Sequence, residues 1–116
     1  MDTIKIPIPS DEIIHVAVYD KDGNFLDPSD NHYKIKIKVN KQELNFEYNK
    51  KDSKNCKIAD VEGTKQLACF INSNTIKKPG LVYIAFCECY ENEYFKDGIQ
   101  DVWSPYELTN LEYIEL

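Results

Sequence analysis

Lys34-Ile35-Lys36-Ile37-Lys38-Val39 is the stretch that decides the fold. Every second residue is β-branched and apolar, and every other residue is a lysine. Side chains of an extended chain alternate between two faces. The stretch is therefore a strand with one oily side and one wet side. Leu44, Phe46 and Tyr48 repeat the pattern against Glu43, Asn45 and Glu47, after a turn signal at Asn40-Lys41. A slip of one residue in either run would drive charges into the core, so the register is strongly specified.

The same period extends outward along the chain. Ile14, Val16 and Val18 alternate with His15, Ala17 and Tyr19, and Ile4, Ile6 and Ile8 alternate with Lys5, Pro7 and Pro9. Proline has no amide proton to donate, so residues 1–10 read as an edge strand or an extended arm. Downstream, Cys56 and Ile58 mark a short strand, Asp60-Val61-Glu62-Gly63 a turn, and Leu67 to Ile71 another strand. Residues 72–80 read as a loop with room for one helical turn. Leu81 to Tyr90 is apolar on both faces, which predicts a central strand covered on both sides or close to an interface. A last strand is expected at Leu111 to Leu116. Turn signals at Asp22-Gly23, Glu62-Gly63, Pro79-Gly80 and Asp97-Gly98 separate the runs. No window carries a helical stripe. The expectation is an all-β chain, an antiparallel Ig-like β-sandwich of about seven to nine strands with residues 11–116 as one domain. An open barrel is the alternative.

Composition narrows the function. A chain of 116 residues supports one core, and its 31 Leu, Ile, Val and Phe residues suffice to build it. The net charge is −6, and all 14 basic residues are lysine. An acidic chain without arginine is poorly suited to a phosphate backbone or an anionic bilayer, so neither nucleic acid nor membrane is an expected partner. The start, Met1-Asp2-Thr3-Ile4-Lys5-Ile6-Pro7, reads as a natural beginning without a signal peptide. No run approaches the length of a membrane span. Folding in a cytoplasm is expected, with the four cysteines as thiols.

No motif of known catalytic geometry is present, and no cofactor is expected. Cys87 and Cys89 share a strand face, but residues two apart sit about 6.6–7 Å from one another, too far for a disulfide. Zinc would draw on Cys56, Cys69, Cys87, Cys89, His15 and His32, and no Cys-x-x-Cys knuckle supports it. The thiols read as small apolar core residues. A Cys–His nucleophile pair lacks a motif for either histidine: His15 reads as a surface or second-layer group, and His32, at a strand entrance, as a solvated one. Paired carboxylates such as Glu91 and Glu93 remain the residual enzymatic option. Asp20-Lys21-Asp22-Gly23-Asn24 resembles a calcium loop, but its glycine and its twelfth residue, Asn31, miss the EF-hand positions. A calcium site of another type would use Asp20, Asp22, Asn24, Asp27 or Asp30. Tyr90, Tyr94, Phe95, Trp103 and Tyr106 crowd the region after the central run. They suit a core cap, a protein interface or a sugar platform. Lys34, Lys36 and Lys38 read as solvated charges, with an acidic partner as the second option.

Three segments carry a resemblance: Lys78-Pro79-Gly80-Leu81-Val82-Tyr83, Tyr94-Phe95-Lys96-Asp97-Gly98-Ile99-Gln100, and Ser104-Pro105. They are similar to short structural proteins of tailed bacteriophages of gut Bacteroidetes, the crAss-like group among them. Val18-Tyr19-Asp20-Lys21-Asp22-Gly23-Asn24-Phe25 resembles the opening strand and turn of phage baseplate upper-protein N-terminal domains. The resemblance implies a β-sandwich in a virion, as capsid decoration, fibre attachment or tail adaptor, and it transfers no catalytic residue. The expected function is non-enzymatic docking to other virion proteins in a homo- or hetero-oligomeric assembly. Ile4, Ile6 and Ile8 would add a strand to a neighbour, and Tyr94, Phe95, Trp103 and Tyr106 would form an aromatic patch. A small carbohydrate-binding module and a calcium-stabilised adhesion domain are the rival classes.

Overall fold

The structure, a computed structural model, describes residues 2–92 and 98–115. Its strands are β1 (Ile4–Ile8), β2 (Glu12–Val16), β3 (His32–Val39), β4 (Gln42–Tyr48), β5 (Cys56–Val61), β6 (Thr64–Ile71), β7 (Gly80–Asn92), β8 (Gly98–Trp103) and β9 (Glu107–Glu115). They form two sheets. The larger runs β1-β9-β7-β3-β4, with β8 attached to the far half of β7, and the smaller runs β2-β6-β5. Taken in chain order, β2 to β7 and β9 occupy the places of strands B, C, C′, D, E, F and G in an immunoglobulin-type sandwich. All pairings are antiparallel except that of β1, which runs parallel to β9.

The lysine-alternating stretch is the axis of the larger sheet. In β3, Tyr33, Ile35, Ile37 and Val39 are all buried, and the residues between them are half-buried. Ile35 stands opposite Phe46 on one side and Phe86 on the other, in the register that keeps charges out of the core. Ile14, Leu67, Cys69, Ile71 and Cys56 from the smaller sheet close against Ile35, Ile37, Val39, Phe46 and Val82. Burying each such aliphatic side chain stabilises the fold by about 1.5–3 kcal/mol before conformational entropy is counted.

Several boundaries differ from expectation. The helical turn lies at Pro28–Asp30, capped by the Asp27 carboxylate, whereas residues 72–79 hold only a turn closed by Thr75 N–H donating to Asn72 O. Asp60 and Val61 belong to β5, and the turn shrinks to Glu62 and Gly63, both at positive φ, the geometry of a tight hairpin. β2 stops at Val16, two residues short of Val18, because Val18 bonds instead across the following loop to Leu26. β8 has no counterpart in the expected strand set. β9 starts at Glu107, four residues before Leu111, because Glu107-Leu108-Thr109-Asn110 lacks the alternation that reveals a strand. Gly80 opens β7 where the backbone of Asn40 lies 3.0 Å from the site of a Cβ, so only glycine fits there without displacement.

β7 changes partner along its length. Its first half pairs with β9 and its second half with β8. Ser104 bridges the gap: its N–H donates to Phe86 O at 2.7 Å, and its Oγ accepts from Phe86 N at 2.9 Å. A single serine thus carries the ladder across the break between β8 and β9. That handover places Trp103 and Tyr106 on one surface.

Candidate functional site

The outer surface of the larger sheet, turned away from the smaller one, collects most of the chain's unusual side chains. Period two puts His32, Lys34, Lys36 and Lys38 of β3 on it. Register then adds Glu43, Asn45 and Glu47 from β4, and Tyr83, Ala85, Cys87 and Cys89 from β7. Asp101 and Trp103 come from β8, opposite Cys89 and Cys87. The surface is therefore a grid, fixed row by row by backbone pairing.

An aromatic and cationic layer covers the middle of this grid. Lys36 Nζ stands 4.5 Å above the Trp103 ring, and Lys38 Nζ lies 5.6 Å from the Tyr106 ring. Tyr106 donates its hydroxyl proton to Glu43 at 2.7 Å. Partial burial, aided by that carboxylate, pushes the phenol up to about 12. Beneath the layer, Ala85 and Cys87 are buried although they face away from the sandwich core. The Leu81–Tyr90 run is thus covered on both sides only in its middle, at Ala85 and Cys87, while Leu81, Tyr83 and Tyr90 are exposed. Trp103 itself remains 38% exposed, so it is a surface lid and not a cap of the inner core. Beside it, Lys34, Lys36, Asn45, Glu47, Lys54 and Trp103 rim a groove of about 340 Å³.

Ion pairs occupy the end of the grid nearest β8. Lys34 Nζ lies 2.8 Å from Asp101 Oδ2, across 67 residues of chain. The lysine holds the Asp101 carboxyl below its usual range, and the carboxylate raises the lysine in return. His32 Nε2 lies 2.5 Å from Glu47 Oε2, with its side chain 20% exposed. His32 is thus a partnered group and not the solvated one expected. His15 is exposed, as expected.

The four cysteines divide into two pairs. Cys56 and Cys69 face each other across β5 and β6 in the core, and their shared hydrogen bond together with burial holds Cys69 far above the usual thiol range. Cys87 and Cys89 lie on the outer grid with their sulfurs 3.8 Å apart. The backbone spacing of residues two apart still applies, but the two Cβ–Sγ bonds lean toward each other. Burial pushes both thiols up. A protonated, shielded thiol is a poor nucleophile.

The remaining expected residues scatter. Ile6 is buried in this chain's own core, Ile8 packs against its edge, and Ile4 is 55% exposed. The strand they form is an edge strand, already paired with β9 along one side, so Ile6 offers no side chain to a neighbour. Tyr94 and Phe95 lie outside the described residues, as does Glu93. Of the acidic candidates for calcium, Asp20 Oδ1 accepts from Asp22 N and Asn24 N, Asp27 accepts from Ser29, and Asp30 pairs with Lys50 at 3.1 Å. Among the described residues they form no group of three whose ligand atoms lie close enough to share an ion. Asp101 was invisible as a site residue in the sequence, because its place depends on β8. The sequence signal for this end of the grid was the shared strand face of Cys87 and Cys89. No helix among the described residues is long and apolar enough to cross a membrane. No family model, curated protein or solved structure matches the chain.

Proposed function

We propose that this chain is a non-enzymatic docking module, a structural protein of a bacteriophage virion that joins other virion proteins through the outer surface of its larger sheet. The observation that carries this reading is the Trp103–Tyr106 layer. Two exposed aromatic rings backed by lysines and acids on a rigid sheet have the make-up of a protein-binding centre, a few amphipathic anchors within a polar rim. The shielded thiols and the carboxylates tied up in turns favour binding over catalysis. The edge of β1, with Ile4 projecting from it, supplies a second contact by backbone pairing. The virion setting rests on the sequence resemblance.

Mass spectrometry of purified phage particles tests the reading. The protein should be present at the abundance of a structural component. A Trp103→Ala/Tyr106→Ala double variant should fold with an unchanged circular dichroism spectrum and be depleted from particles. Ile4→Lys tests the β1 edge better than deleting the arm, because the deletion would also remove Ile6 from the core. Absence of the wild-type chain from purified particles overturns the proposal. The exposure of Trp103 and Tyr106 on one surface favours carbohydrate binding as the second reading. A glycan that quenches or shifts Trp103 fluorescence in a saturable manner would select it.

A further inference from the structure

We propose that Cys87, Cys89 and Asp101 form a binding site for a thiophilic divalent cation, with zinc the best match, and that His32 completes its shell. The ligand atoms of the first three lie within 4.8 Å of one another. Two sulfurs each bonded at about 2.3 Å to one tetrahedral zinc stand roughly 3.8 Å apart. The Cys87 and Cys89 sulfurs are 3.8 Å apart already, so the pair is set for a shared ion and far from disulfide bonding distance.

The neighbours supply what such a site needs. His32 is the cross-strand partner of Cys89, on the same surface. Its Nε2 is engaged by Glu47, and its ring stands outside the 4.8 Å group, so a turn of the side chain would bring Nδ1 to the ion. A histidine held by a carboxylate through its second nitrogen is the usual outer-shell arrangement of metal-binding histidines. Charge closes as well. Two thiolates and a carboxylate bring three negative charges, and zinc with the Lys34 ammonium brings three positive ones. Lys34 lies 2.8 Å from one Asp101 oxygen, and the carboxylate has a second oxygen to offer. The site joins β7 to β8 and β3, so its occupancy would staple the β8 strand to the sheet.

Fully reduced, chelator-stripped protein is titrated with Cd2+ and separately with Co2+. One equivalent of Cd2+ should raise a thiolate-to-metal charge-transfer band in the ultraviolet, and Co2+ should give the visible spectrum of a tetrahedral thiolate complex. Cys87→Ser/Cys89→Ser should abolish both signals. Asp101→Asn should weaken binding at least tenfold, and Glu47→Gln, acting through His32, roughly 10–100-fold. Should the double variant fail to fold, the wild type decides: bound Cd2+ must protect Cys89, the less buried of the two and located by peptide mass, from alkylation. A band that persists without these two cysteines assigns the metal to Cys56 and Cys69 and overturns the proposal. No band at one equivalent, or alkylation unaffected by Cd2+, overturns it equally.

Discussion

Tyr113→Phe should make this protein more stable. Tyr113 lies on β9, is 1% exposed, and stands opposite Gly80. Its hydroxyl is buried without a hydrogen-bond partner among the described residues. Burial also pushes its pKa up to about 12, which keeps the phenol neutral at any ordinary pH. An unsatisfied buried hydroxyl loses its bonds to water on folding and regains none, at a cost of about 1–3 kcal/mol. Phenylalanine keeps the ring and all its apolar contacts and removes only that cost. Urea denaturation followed by circular dichroism should therefore give an unfolding free energy higher by about 1–3 kcal/mol with an unchanged slope. For a domain of this size each kcal/mol corresponds to roughly 4 °C in melting temperature. Tyr113→Ala makes the contrast: it empties a buried ring and should cost about 3–5 kcal/mol. A Phe variant less stable than wild type by 1 kcal/mol or more would refute the reasoning, since it would mean the hydroxyl has a partner.

Three further outcomes are expected. Ile37→Ala, at a position with no exposed surface in the centre of β3, should destabilise by about 2–5 kcal/mol in the same denaturation assay. A double-mutant cycle of Lys36→Ala and Trp103→Ala should show a coupling of about 0.5–1 kcal/mol, and additive effects would disprove the ammonium–indole contact. Asp20, through backbone hydrogen bonds from Asn24, and Asp27, through Ser29, have carboxyls held below the ordinary 3.8. A depressed folded pKa contributes stability that is complete above the unfolded value and lost as pH falls through the folded one. Carboxyl resonances of both residues should therefore titrate below 3.8, and Asp20→Asn and Asp27→Asn should each soften the acid limb of the stability curve below that pH.

Local alternation determined much of this molecule. Lys34 to Val39 and Glu43 to Tyr48 name their own buried faces, because a pleated chain admits two registers and only one keeps ammonium and carboxylate groups in water. The double-faced apolar run at Leu81–Tyr90 likewise announced a central strand, and Asn40, Glu62 and Gly63 took the positive φ their turns demand. Where alternation fades, at Glu107–Asn110 and Gly98–Trp103, the strands became visible only through their partners. Ile6 read as a residue for a neighbour and proved to belong to this chain's own core. The reason is that β1 pairs with β9 at the opposite end of the sequence, a choice no local pattern encodes. The candidate sites follow the same division. Residue type alone marked Trp103 and Tyr106 as members of an aromatic group, but their seats against Lys36 and Lys38 depend on how β8 and β9 share β7. Cys87 and Cys89 share a face by period two, yet their meeting with Asp101, in the row beside His32, required three strands in one register. Sequence determines which way a side chain points from its own strand; only the packed sheets decide which distant strand lies beside it, because that choice is made by the burial of the whole core at once.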